Sequence, residues 1–193
     1  MQIIKYPHPT LRHKSKPIKR IDQELRDIIA EMFELMYDDD GVGLAANQVN
    51  LPYQIFVLNT TGDPDQKENE YVFINPIISK KKGSAESEEG CLSFPEIHAP
   101  VIRPSEIVIQ GVGLDGQVQQ YHWKGFAAKA AQHETDHING LTFVDRLSPT
   151  NQLAVRSRLE ELEQEFETNR RLGLIPSDEE IAAHIEELER KRC

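Results

Sequence analysis

Gln132-His133-Glu134-Thr135-Asp136-His137 decides how this chain is read. Two histidines four positions apart lie on one face of a helix, one turn from each other. One metal ion can take both imidazoles. The glutamate after the first histidine projects beside such an ion, where it can take a proton from water. This is the H-E-x-x-H arrangement of two ligands and a general base. The bland alternative is a charged surface helix, and the flanks argue against it. Phe126 to Ala131 is alanine-rich, a strong helix former with small side chains that pack closely. Asn139-Gly140 is a left-handed helix stop. The spacing therefore predicts a helix from Gly125 to Ile138. Its carboxyl half is polar, and burying those side chains without partners would be very costly. A metal, with groups that orient its ligands, satisfies them.

The rest of the composition is that of an ordinary soluble protein. The chain has 193 residues, 38% hydrophobic and 28% charged, which suits one domain with an appendage. A net charge of -10 and a pI near 5.2 argue against sequence-specific nucleic-acid binding and against a membrane surface. Lys5, Arg12, Lys14 and Lys16 interrupt any apolar run at the start, so no signal peptide is expected. The two cysteines, Cys91 and Cys193, suit a reducing cytoplasm with free thiols.

Met1 to Lys19, with three prolines, reads as an extended arm. Ile21 to Asp40 reads as a helix capped by Asp22, with Leu25, Ile28, Ile29, Met32, Phe33 and Met36 on its core face. Gly41 to Val49 is small and glycine-rich, so another group can approach its backbone closely. Gln54–Asn59 and Tyr71–Ser79 read as strands, the second interrupted at Asn75-Pro76, and Lys80–Ser87 as a loop. Ser105–Gln110 and Gln117–Trp123 read as a hairpin with an Asp-Gly turn. Leu141–Val144 is expected to be a last short strand. Ser148-Pro149 opens one helix, with Val155, Leu159, Leu162 and Phe166 as its apolar seam. Ser177 with Glu180 is a capping box that opens another, with Ile181, Ile185 and Leu188 on one face. From residue 151 onward there are seven Lys/Arg and eleven Asp/Glu, net -4. That balance suits packing back on the domain, or a dimer, better than RNA contact.

Three stretches, in order, resemble the motifs of the peptide deformylase family. They are Gly41-Val42-Gly43-Leu44-Ala45-Ala46-Asn47-Gln48, Glu89-Gly90-Cys91-Leu92-Ser93 and Gln132–His137. The resemblance spans about residues 1–147, and 148–193 looks like the helical extension of a bacterial type. It implies an α+β fold, with antiparallel sheets around a central buried metal-binding helix. It implies Cys91, His133 and His137 as metal ligands, with Fe2+ as the native ion and Zn2+, Ni2+ or Co2+ able to substitute. It implies Glu134 as general acid/base, Gln48 and the Leu92 N–H as oxyanion donors, and Gly43 as a lining of the substrate cleft. The implied substrate is the N-formylmethionyl end of nascent peptides, in the cytoplasm, with formate as product. Three positions depart from the pattern: His98 stands where arginine is frequent, Ala131 where a larger aliphatic is common, and Asn47 where proline or threonine is common.

The residues suit that chemistry. A formamide carbonyl resists attack, so a polarised water, a base and preset oxyanion donors are each useful. Val42, Leu92 and Ala130 are candidate walls of a pocket for methionine. Glu89 or Asp136 is expected to pair with Arg103 or to orient a ligand histidine. A zinc endopeptidase is the main rival. Phe143 occupies the place of the third histidine in the long H-E-x-x-H form, so a tail glutamate such as Glu160 or Glu163 would be needed. A structural metal site would need a fourth ligand, such as His98, His122 or Asp136. The extension could also touch the ribosome transiently, or form a homodimer in place of a monomer.

Overall fold

The computed structural model describes residues 1–193. The amino-terminal arm is irregular apart from one 3-10 turn, Pro9–Arg12. Helix α1 spans Gln23–Asp38, and Asp22 caps it by accepting the Leu25 N–H at 3.0 Å. Seven strands follow: β1 Gly43–Ala45, β2 Ile55–Asn59, β3 Glu70–Lys82, β4 Ala85–Cys91, β5 Phe94–Arg103, β6 Glu106–Val112 and β7 Val118–Lys124. Helix α2 is Gly125–Ile138, followed by a 3-10 turn Phe143–Arg146, then α3 Pro149–Arg171 and α4 Asp178–Arg192.

Five strands form an antiparallel sheet in the order β1-β2-β3-β6-β7, and β4 and β5 pair as a separate hairpin. Side-chain alternation divides the large sheet between two helices. Leu44, Ile55, Val57 and Ile74 join Leu25, Ile29, Met32 and Met36 of α1 in one core. Their neighbours Ala45, Phe56, Leu58 and Phe73 face the other way, against Ala128, Ala131 and Ile138 of α2. A third core joins Phe94, Ile97, Ala99 and Val101 of β5 to Phe143, Leu147, Val155 and Leu162. The fold is thus α+β, with antiparallel sheets around a mostly buried α2.

The carboxyl-terminal helices pack back on this body. Arg158 of α3 pairs with Glu96 at 3.0 Å, and Glu163 accepts the Tyr6 hydroxyl at 2.6 Å. On α4, Glu189 meets His13 at 2.7 Å and Lys16 at 2.6 Å, while Arg192 reaches Asp22 at 2.9 Å and Glu24 at 2.6 Å. No helix is long and apolar enough to cross a membrane.

Three sequence expectations are corrected. Strand β3 is not broken at Asn75-Pro76: Asn75 takes φ 53° at a register shift, and the strand runs on to Lys82. A bulge accommodates proline, which has no N–H to lose. Lys80–Ser87 is not a loop, since only Gly83 and Ser84 lie between β3 and β4. Leu141–Val144 is not a strand. Asp145 folds back on the Thr142 N–H at 2.7 Å and closes the 3-10 turn.

Candidate active site

Helix α2 has the expected bounds, and Gln132, Glu134, Asp136 and His137 at its C-terminal end are buried. His133 and His137 stand one turn apart, with Nε2 atoms 3.2 Å from each other. Cys91 ends β4, where the register shift between Gly90 and Cys91 turns the chain toward α2. Its Sγ is 3.2 Å from His137 Nε2, and the three ligand atoms lie within 4.8 Å of one another. Metal–sulfur bonds of about 2.3 Å and metal–nitrogen bonds of about 2.0–2.1 Å require spacings of this size. Donor chemistry and separation therefore fit one divalent ion.

The surrounding groups fix those donors. His133 Nδ1 faces Glu89 Oε2 at 3.0 Å. A carboxylate only accepts, so Nδ1 carries the proton and Nε2 presents its lone pair. Arg103 holds Glu89 through two bonds of 2.5 and 2.9 Å and donates to Asp136 at 2.7 Å. Burial pushes the Glu89 carboxyl up. The hydrogen bonds from His133 and Arg103 more than reverse this, holding it down at about 2. So Arg103 pairs with both acidic candidates, and Glu89 orients a histidine. His137 is fully buried, and its backbone carbonyl accepts from the Asn47 side chain.

Glu134 is 4% exposed, and its Oε2 has no protein partner. Burial is the main cause that raises its pKa to about 7. A carboxyl in that range can both take and return a proton near neutral pH. Gly43 lies against it: a Cβ there would sit 2.5 Å from Glu134 Oε1. Gln48 is buried in the 3-10 turn Ala46–Val49, and its Oε1 accepts the Ala45 N–H at 2.8 Å. That bond aims Nε2 toward Cys91 Sγ at 3.4 Å and Ser93 Oγ at 3.3 Å.

A cleft of about 600 Å³ opens over this cluster, lined by Val42, Gly43, Gln48, Cys91, Leu92, His98, Ala130, His133 and Glu134. His98 packs on Gly90, where a Cβ would come within 2.6 Å of its ring. The fourth-ligand candidates of a structural site, and the tail glutamates that an endopeptidase would need as third ligand, are occupied elsewhere or outside the cluster. His122 pairs with Glu106, Asp136 with two arginines, Glu160 with Arg156, and Glu163 with Tyr6. His98 lines the cleft without joining the three close donors. Sequence reasoning missed Lys5, Phe126 and Lys129 at the cleft rim, because exposed lysines and one phenylalanine carry no local signal.

The family model for polypeptide deformylase matches residues 1–153. The chain is 41% identical to the peptide deformylase of Rhodopirellula baltica, over 98% of this chain and 94% of that protein. Among solved structures, a Plasmodium falciparum peptide deformylase superposes with a TM-score of 0.84 at 37% identity, over 86% of this chain and 98% of that one. Peptide deformylase 1B of Arabidopsis thaliana, solved with an inhibitor, gives a TM-score of 0.84 at 37% identity, over 92% and 97%. With a Cys-His-His cluster in place at the head of a cleft, this chain belongs to the polypeptide deformylase family and is a metal-dependent hydrolase.

Proposed function

We propose that the cleft residues divide the work of removing the N-formyl group from the initiator methionine of new polypeptides, with formate released. Cys91, His133 and His137 hold the ion. The family resemblance implies Fe2+ as the native ion; one thiolate and two imidazoles suit ferrous iron and zinc alike, and Zn2+, Ni2+ or Co2+ can replace it. When bound, the ion lowers the pKa of water and polarises the formyl oxygen. Glu134 Oε2 receives the proton of the attacking water and returns it to the departing amine nitrogen. The Gln48 amide and the Leu92 N–H face the oxyanion that forms between those events, each contributing about 3 kcal/mol. Val42, Gly43, Leu92, His98 and Ala130 hold the peptide, with the apolar members around the methionine side chain.

The observation that carries this reading is a buried, unpartnered Glu134 carboxylate oxygen beside three convergent metal donors. The test is formate release from a formyl-Met peptide under anaerobic conditions with ferrous iron added. Glu134→Gln is expected to keep the metal and lose turnover by about 10²-fold or more. A variant that turns over normally would remove Glu134 from the chemistry.

The partners follow from that substrate. The protein works on N-formylmethionyl nascent peptides in the cytoplasm, with transient ribosome contact at most. Its net charge of -10 suits neither sequence-specific nucleic acid nor a membrane surface. Residues 1–147 act as the catalytic domain and 148–193 as its helical extension. Val155, Leu162, Phe166, Ile181 and Ile185 are already buried within one chain, which favours a monomer over a dimer through these helices. Sedimentation velocity of the full chain is expected to give one species of about the chain mass.

A further inference from the structure

The turn Phe143–Arg146 lies outside the cleft, yet it reaches His133 by two routes. The first is direct: the Phe143 ring stacks on the imidazole, centroids 6.1 Å apart and planes 25° apart. The second runs through charge. Arg146 grips both oxygens of Asp136, at 2.6 and 3.1 Å. Asp136 then takes one hydrogen bond from Arg103, which leaves the rest of that guanidinium for Glu89, and Glu89 holds His133 Nδ1. Arg103 is 4% exposed, but the Arg146 side chain is 43% exposed. The relay therefore ends at the surface, two residues before the helical extension begins.

We propose that the turn Phe143–Arg146 clamps the His133 imidazole from two sides, and that Arg146 is a positioning residue for the metal site. The inference rests on Cys91, His133 and His137 holding the ion. Two carboxylates and two guanidiniums balance in this network. Without Arg146, the buried Asp136 carboxylate has only Arg103 to satisfy it. Both oxygens then turn to Arg103 and draw it from Glu89, so the imidazole loses its fixed orientation. Groups that orient metal-binding histidines typically alter metal affinity or activity 10–100-fold when replaced.

The test is the rate at which zinc-loaded enzyme gives up its metal to excess chelator, read alongside kcat and KM. Arg146→Met is expected to release zinc about tenfold faster and to lower kcat with little change in KM. Arg146→Lys, which keeps the charge but loses the two-pronged grip, is expected to fall between Met and wild type. Arg156→Met, which breaks an exposed pair with Glu160, is expected to match wild type. A folded Arg146→Met with wild-type zinc release overturns the proposal. If that variant does not fold, Arg146→Lys decides, and wild-type release from it overturns the proposal equally. Wild-type protein that retains no stoichiometric zinc would instead reject the ligand assignment itself.

Discussion

At the residue scale, Gly43 is needed for space: its φ is ordinary, but an added Cβ would meet Glu134 Oε1 at 2.5 Å and Cδ at 3.0 Å. Gly43→Ala is expected to displace the carboxylate and lower kcat by about 10²-fold, with metal content unchanged. Steady-state kinetics with metal analysis checks this, and normal kcat would mean that the carboxylate can shift without consequence. Sequence reading singled out Gly43 through the family resemblance, and the close approach supplies its physical reason. The H-E-x-x-H spacing pointed to His133, Glu134 and His137 by residue type alone, the family resemblance implied Cys91, and Glu89 and Asp136 stood out by their nearness in sequence to those ligands. Sequence reading did not find Arg146, whose role depends on Asp136 lying 2.6 Å away in three dimensions.

At the element scale, helices were legible and strands less so. The α2 bounds, the Asp22 cap and the Ser177–Glu180 box follow from local chemistry that needs no tertiary partner. Strand β5 was not read, because Pro95 and Pro100 interrupt it and its inward position 103 is an arginine. That arginine is tolerated inside because Glu89 and Asp136 meet it there. Strand β3 was read as interrupted because Asn75-Pro76 is a turn signal by itself. In the fold, the Asn75 side chain accepts the Ile18 N–H and donates to the Ile18 carbonyl, bonding the arm to the bulge. Helix α4 gives a direct stability test. Ile185 is 7% exposed, so Ile185→Ala is expected to lower unfolding free energy by about 2–4 kcal/mol with formate kinetics intact. Urea unfolding measures it, and a loss below about 1 kcal/mol would mean that α4 is not docked.

At the scale of the whole molecule, the arm, the sheets and the extension form one body, and His8 lies at their junction. Its Nδ1 accepts the Thr10 N–H at 3.3 Å, and its ring stands edge-on to Phe166. Burial, with help from Arg170, lowers its pKa from 6.5 to about 4. Between those values the unfolded chain binds more protons than the folded one, so stability falls as pH drops from 6.5 toward 4. His8→Gln is expected to flatten that limb relative to wild type at equal metal loading. Melting temperatures from pH 7 to 4.5 check it, and parallel curves would assign the acid limb to other groups. The central claim is that a thiolate at the end of β4 and two imidazoles on α2 jointly hold the ion that deformylation requires. Metal content and formate release, measured together on wild type and Cys91→Ala, test it most directly. The account predicts one ion per chain and formate release for wild type, and loss of both for Cys91→Ala; a variant that kept its ion and its turnover would contradict it.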